Sequence, residues 1–261
     1  MTKARRVIAQ NLGLVDCVLE VLDARIPDSS RNPDANALLG NKPRIVLLNK
    51  RDLADQNITR LWLERFPNAI AVNAADPKTV FVIESALINL FSEKIKKAKS
   101  KGVRAPRIRA MLVGVPNVGK SALINRLAKQ KKTAVSDRPG VTRGKQWIKA
   151  GATLDLLDMP GVLWPKFDDQ DVAIKLAITG AISDEVVDSQ DLCRNLIKLL
   201  NIYAPEAMQK RYGANSLEEA AEKRKFLIKG GDLDLRRAAA VLLDEFRAGK
   251  LGRITLEKPK A

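Results

Sequence analysis

Up to Leu157 the chain repeats short apolar runs rich in valine, isoleucine and leucine, at Cys17–Leu22, Ile45–Leu48, Ile70–Val72, Met111–Val113 and Leu154–Leu157. Most are separated by segments whose apolar residues return every three or four positions, over Ile58–Phe66, Val80–Phe91 and Ser121–Leu127. A continuous apolar run too short for a buried helix predicts a strand covered on both faces. Such strands alternating with helices predict an α/β fold with a mainly parallel sheet and helices on both faces. After Pro165 the pattern changes to helical spacing alone, over Val172–Ile182, Asp191–Leu200, Leu217–Ile228 and Leu233–Phe246. In the last of these, Leu235, Ala238, Ala239, Leu242, Leu243 and Phe246 form one apolar stripe, with Arg236, Arg237 and Arg247 off it. The expected organisation is an α/β domain over residues 1–168 and a small all-helical domain over residues 169–261.

Composition narrows the partners. Lysine and arginine number 46 against 30 acidic residues, a formal charge of +16, which favours a polyanion such as RNA, DNA or an anionic membrane surface. The densest basic run, between Glu93 and Arg109, reads either as a helix end passing into a basic linker or as an ordinary solvated face. Cys17 and Cys193 both sit in apolar segments, which suits buried free thiols and no disulfide-linked partner. No run reaches the length of a membrane span, and Met1–Arg6 lacks the apolar stretch of a secretory signal, so a cytoplasmic protein with no membrane partner is expected. The count of histidines is zero, which excludes an imidazole base or a histidine metal ligand from these residues.

Gly114-Val115-Pro116-Asn117-Val118-Gly119-Lys120-Ser121 has the phosphate-loop pattern, with a strand before it and a helix after. Its glycines let backbone N–H groups curl round a phosphate, Lys120 reaches the terminal phosphates, and the Ser121 hydroxyl is placed for Mg²⁺ at a helix N-terminus. The nucleotide-binding positions expected there are Asn117, Val118, Gly119, Lys120, Ser121 and Ala122. The loop alone does not choose between ATP and GTP. Asn49-Lys50-Arg51-Asp52 closes the strand ending at Leu48, and the Asp52 carboxylate can accept from the N1–H and the exocyclic amine of guanine, a donor pair adenine lacks. Alone, this four-residue pattern could equally be a surface turn; paired with the phosphate loop it selects GTP. Asn73-Ala74, after the next strand, resembles the backbone segment that packs beside the base. Asp158-Met159-Pro160-Gly161 follows the strand Leu154–Leu157, where Asp158 can hold Mg²⁺ through water and the Gly161 N–H can sense the γ-phosphate. Between these motifs lies Asp137–Gly144, either a turn built on Pro139-Gly140 or a switch loop in which Thr142 is a Mg²⁺ ligand.

The guanine motif precedes the phosphate loop, whereas common GTPases have the reverse. A site survives such a rotation because only the connections change. Together with Asp23-Ala24-Arg25-Ile26-Pro27, Ser29–Pro33, Asn41–Arg44, Asp137–Gly140, Pro160–Phe167 and Gly249–Leu256, this order resembles the YlqF/RbgA family, ribosome biogenesis GTPase A, along nearly the whole chain. The resemblance implies a circularly permuted P-loop GTPase domain, a C-terminal RNA-binding domain, and GTP hydrolysis during assembly of the large (50S) ribosomal subunit. It implies the large subunit and its rRNA as partners of a monomer, and, by similarity to cation-activated GTPases, a K⁺ held by Asn117.

Two departures bear on catalysis. Val162 stands where many GTPases place a water-orienting glutamine. Family members begin with a Phe-Pro-Gly-His-Met segment whose histidine is implicated in hydrolysis, and this sequence aligns from that segment's methionine onward. No catalytic residue is therefore assigned, and slow hydrolysis is expected. Two rivals stay open: a nucleotide-gated RNA-binding module with little turnover, and a P-loop kinase, which the guanine motif argues against.

Overall fold

The computed structural model describes residues 3–103, 106–128, 147–151, 153–157, 169–182 and 188–259. The chain divides into two compact units, the first formed by Met1–Leu22, Arg31–Asn49 and Phe66–Pro165, the second by Asp23–Ser30, Lys50–Arg65 and Lys166–Ala261.

Among the described residues the first unit is built on a sheet of six strands in the order β3-β2-β1-β4-β6-β5. β1 (Cys17–Asp23) is buried at every position, its apolar residues as a central strand requires and its one interrupting charge, Glu20, paired with Arg31 and Arg44. Beside it, in parallel, runs β4 (Ile108–Val113). β2 (Arg44–Asn49) pairs in parallel with β3 (Ala69–Ala71), and β4 in parallel with β6 (Leu154–Leu157). The expected mainly parallel sheet is therefore present. One strand escaped sequence reading: β5 (Trp147–Ala150) is an antiparallel edge strand against β6, four residues long and largely exposed, with no apolar run to signal it.

Among the described residues this unit also holds helices α1 (Lys3–Leu12), α2 (Ala35–Leu39), α4 (Lys78–Leu90), α5 (Ser92–Ser100) and α6 (Lys120–Ala128). α4 buries Thr79, Val80, Ile83 and Leu87, and α6 buries Leu123, Ile124 and Leu127, the stripes their spacing predicts. Each fully buried leucine or isoleucine contributes about 1.5–3 kcal/mol. The basic run between Glu93 and Arg109 belongs partly to α5, where Lys94 pairs with Asp16 at 2.9 Å. Cys17 is fully buried and its thiol is pushed up to about 12 by burial, an inert core residue.

In the second unit lie α3 (Gln56–Arg65), α7 (Gln170–Ile178), α8 (Ser189–Tyr203), α9 (Ala207–Tyr212), α10 (Leu217–Lys223) and α11 (Leu235–Arg247). Local capping explains the starts of α7, α8, α10 and α11, where Asp169, Asp188, Ser216 and Asp234 each accept from a backbone N–H of the first turn. α8 and α11 pack against each other, α8 burying Leu192, Cys193, Leu196 and Leu200 and α11 burying Ala238, Ala239, Leu242 and Leu243. Cys193 is buried, with its thiol likewise raised to about 12 by burial. Arg247, off the apolar stripe, donates to Ile178 O at 3.0 Å and Ala177 O at 2.9 Å, satisfying carbonyls at the end of α7. The expected helix over Leu217–Ile228 is shorter than its periodicity suggested. Lys225 takes a positive φ of 53°, Phe226 N returns to Ala221 O, and Leu227 then bridges antiparallel to Leu233 around Gly230-Gly231. Among the described residues no helix is long and apolar enough to cross a membrane.

Candidate nucleotide-binding site

β4 delivers the chain into the phosphate loop, and two glycines there are required by what lies behind them. Gly114 has φ +156°, and a Cβ at that position would stand 2.4 Å from the backbone oxygen of Val21 on the neighbouring strand. Gly119 has φ +98°, and its Cβ would stand 2.2 Å from Asn49 Nδ2. Asn117 also takes the left-handed conformation, φ +57°. The Lys120 side chain folds back over the loop, its Nζ donating to Gly114 O at 2.8 Å and Val115 O at 2.5 Å. Burial lowers its ammonium to about 8. Such a cation, desolvated and held at the mouth of a backbone cradle, is suited to an arriving phosphate. Ser121 and Ala122 are exposed at the first turn of α6.

The guanine motif is divided between the units: Asn49 ends β2 in the first, while Lys50, Arg51 and Asp52 belong to the second. Asn49 is buried to 1% exposure, and both ends of its amide are used. Nδ2 donates to Val118 O at 2.7 Å, and Oδ1 accepts from Ala74 N at 3.1 Å. One side chain thus ties the phosphate loop to Asn73-Ala74, placing three sequence motifs in a single hydrogen-bonded assembly. Asn73 is fixed in turn by Thr79, whose Oγ1 accepts from Asn73 N at 3.2 Å and donates to Asn73 O at 2.5 Å. Arg126 of α6 reaches back to Ala74 O at 3.0 Å and Ala75 O at 2.7 Å. Sequence reading missed Thr79 and Arg126, since neither belongs to a motif and their partners lie far off in the chain.

In the second unit Lys50 takes φ +61° and its Nζ donates to Asp23 Oδ2 at 2.9 Å. Asp23 also holds Arg25 through two side-chain hydrogen bonds, at 2.9 and 2.7 Å. Burial alone would raise the Asp23 carboxyl, yet Arg25 and Lys50 outweigh it and hold the group well below the ordinary carboxylate range. This network was visible in the sequence only as the stretch Asp23-Ala24-Arg25, without a role. Arg51 and Asp52 are exposed. Thr142, Asp158 and Gly161, and with them both expected switch segments, lie outside the described residues.

With this geometry in place, comparison with known proteins decides the family. Residues 109–228 match the family described as 50S ribosome-binding GTPase. Ribosome biogenesis GTPase A of Priestia megaterium is 45% identical, covering 99% of this chain and 94% of that protein. The chain belongs to the ribosome biogenesis GTPase A family. The namesake from Thermotoga maritima is 32% identical over 99% of this chain and 92% of its own. Among solved structures, GDP-bound YlqF superposes with a TM-score of 0.71 at 30% identity, covering 98% of this chain and all of that one. GNP-bound YlqF from T. maritima gives 0.69 at 30% identity. Family membership makes the chain a GTPase, and the sheet agrees with a circular permutation: read from β4 onward, the same six strands present the phosphate loop first and the guanine motif late.

Proposed function

We propose that this chain is a GTP-hydrolysing switch in assembly of the large ribosomal subunit, docking on its rRNA in one nucleotide state and leaving in the other. The GTP assignment is carried by Asn49, which holds the phosphate loop and the Asn73-Ala74 segment together through Val118 O and Ala74 N. Asn117 to Ala122 take the phosphates, Asn49 to Asp52 with Asn73 and Ala74 take the base, and Asp52 reads the guanine donor pair. Ser121, Thr142 and Asp158 hold Mg²⁺, Gly161 senses the γ-phosphate, and Asn117 helps hold K⁺. The G domain spans residues 1–168 and the helical domain at 169–261 binds RNA, as a monomer in the cytoplasm. The names of the relatives supply the ribosomal setting, and the +16 charge supplies the attraction to rRNA.

One observation favours a second reading, a nucleotide-gated RNA-binding module with little turnover: Val162 stands where many GTPases place a water-orienting glutamine. Both readings are tested together by sedimenting the protein with large subunits and their precursors. Under the first, a nonhydrolysable GTP analogue retains the protein on the particle, rising salt releases it, and single-turnover GTP hydrolysis accelerates when particles are added. Free sedimentation at moderate salt overturns both, while salt-sensitive retention without accelerated hydrolysis selects the second.

A further inference from the structure

Residues 254–257 form a clasp within the second unit. Ile254 N donates to Leu53 O at 2.9 Å, and Thr255 Oγ1 accepts from Asp55 N at 3.1 Å. On the other side Leu256 N donates to Arg25 O at 2.8 Å. Ile254, Thr255, Leu256 and Glu257 are all buried. The segment therefore grips two arms at once: Leu53–Asp55, which follows the guanine motif directly, and the stretch beginning at Asp23, which holds Lys50 of that motif.

Glu257 is the polar centre of the clasp. Its Oε1 accepts from Asp28 N at 2.5 Å and Ser29 N at 3.0 Å, and its Oε2 accepts from Ser29 Oγ at 2.6 Å and Lys175 Nζ at 3.3 Å. Its backbone oxygen accepts from Trp62 Nε1 at 3.3 Å. A carboxylate only 6% exposed is costly unless paired, and here four donors meet it, with Oε1 seating the Asp28 and Ser29 backbone N–H groups and Oε2 taking the Ser29 hydroxyl and Lys175. The next residue in that loop, Ser30, accepts from Asp23 N at 3.0 Å through its Oγ. The relay is then short: Glu257 fixes Asp28-Ser29, Ser30 fixes Asp23, and Asp23 holds Nζ of a Lys50 whose backbone sits in the left-handed region.

We infer that Glu257 is a positioning residue for guanine recognition, keeping the Lys50–Asp52 loop in its base-binding conformation from the far end of the chain. This inference rests on the assignment of Lys50 to Asp52 to the base. Because Lys175 lies on α7 of the helical unit, whatever displaces α7 or the C-terminal segment loosens the hold on the base. The physical consequence is a smaller competent fraction, and the apparent dissociation constant rises by the inverse of that fraction.

The test compares GDP, IDP, which lacks the exocyclic amine, and inorganic tripolyphosphate, which carries no base, on the full chain by calorimetry. Glu257→Ala is expected to weaken GDP about tenfold, to narrow the GDP-over-IDP preference, and to leave tripolyphosphate unchanged. Glu257→Gln keeps an acceptor for the two backbone N–H groups and should recover most of the loss. Should Glu257→Ala fail to fold, Ser29→Ala, which removes a single hydrogen bond, is expected to give the same pattern at smaller size. Equal losses for all three ligands, or no loss for any, would overturn the inference. Asp52→Asn on the unaltered clasp separates the two levels: a switch from guanine to xanthine nucleotides upholds the base assignment whatever Glu257 does, and an unchanged guanine preference refutes that assignment.

Discussion

Substituting Gly119 by alanine probes the contact on which the nucleotide site is assembled. The added Cβ would meet Asn49 Nδ2 at 2.2 Å and, among the described residues within 4 Å, nothing else but Asn49 Cγ, at φ +98°. Two costs follow. Backbone strain at positive φ is about 1–2 kcal/mol, and pushing Asn49 aside sacrifices its bonds to Val118 O and Ala74 N, about 0.5–1.5 kcal/mol each. Gly119→Ala should therefore destabilise by about 2–5 kcal/mol, and Asn49→Ala by about 1–3 kcal/mol. Once the Asn49 side chain is gone the steric conflict is gone too, so the double variant should retain only the strain on top of the Asn49 loss. The expected coupling is about 1–3 kcal/mol short of additivity, read from urea midpoints at unchanged slope. Gly114→Ala supplies the control, since its Cβ meets the backbone oxygen of Val21 at 2.4 Å and no side-chain deletion relieves that. Gly114→Ala with Asn49→Ala should be additive. If Gly119→Ala and Asn49→Ala add to within about 0.5 kcal/mol, the contact does not have the role given to it.

Lys120 predicts a pH dependence. Its folded-state ammonium is lowered to about 8 by burial, so the cost of burying the charge is fully present below that pH and disappears as pH rises toward the ordinary lysine value of 10.5. The free protein thus gains stability across that window, whereas a bound phosphate favours the charged form and pulls the value back up. GDP binding should take up almost no proton near about pH 7 and most of one near about pH 9, measured by calorimetry in buffers of different ionisation enthalpy. Heats independent of the buffer at both pH values would refute it. Asn117, in the left-handed conformation within the phosphate loop, predicts that hydrolysis is faster in potassium than in sodium at equal ionic strength, and that Asn117→Ala removes the difference. Equal rates for the unaltered chain in the two salts would count against the ion site.

The legible parts of this protein are those whose physics is local. Gly114–Ser121 and Asn49–Asp52 are contiguous because a phosphate cradle and a base-reading loop are each built from one turn of backbone, and apolar runs such as Cys17–Leu22 announce central strands since both faces are buried. Where two signals compete locally, reading fails: the helical spacing of Leu217–Ile228 continues past Lys223, yet the positive φ at Lys225 and the Gly230-Gly231 turn take the chain into a bridge instead. β5 was missed because an exposed four-residue edge strand needs no apolar run. What sequence could not give at all is the support beneath the motifs. Asn49 meets Val118 across 69 residues, Arg126 meets Ala74 across 52, and Glu257 meets Ser29 across 228. No spacing rule reaches so far. These contacts are polar and buried, so each is costly if its partner is lost, and that cost makes them a means of holding a loop in one conformation. A permuted order of motifs does not alter this requirement: the groups that touch the nucleotide can be moved along the chain, provided distant residues still hold them.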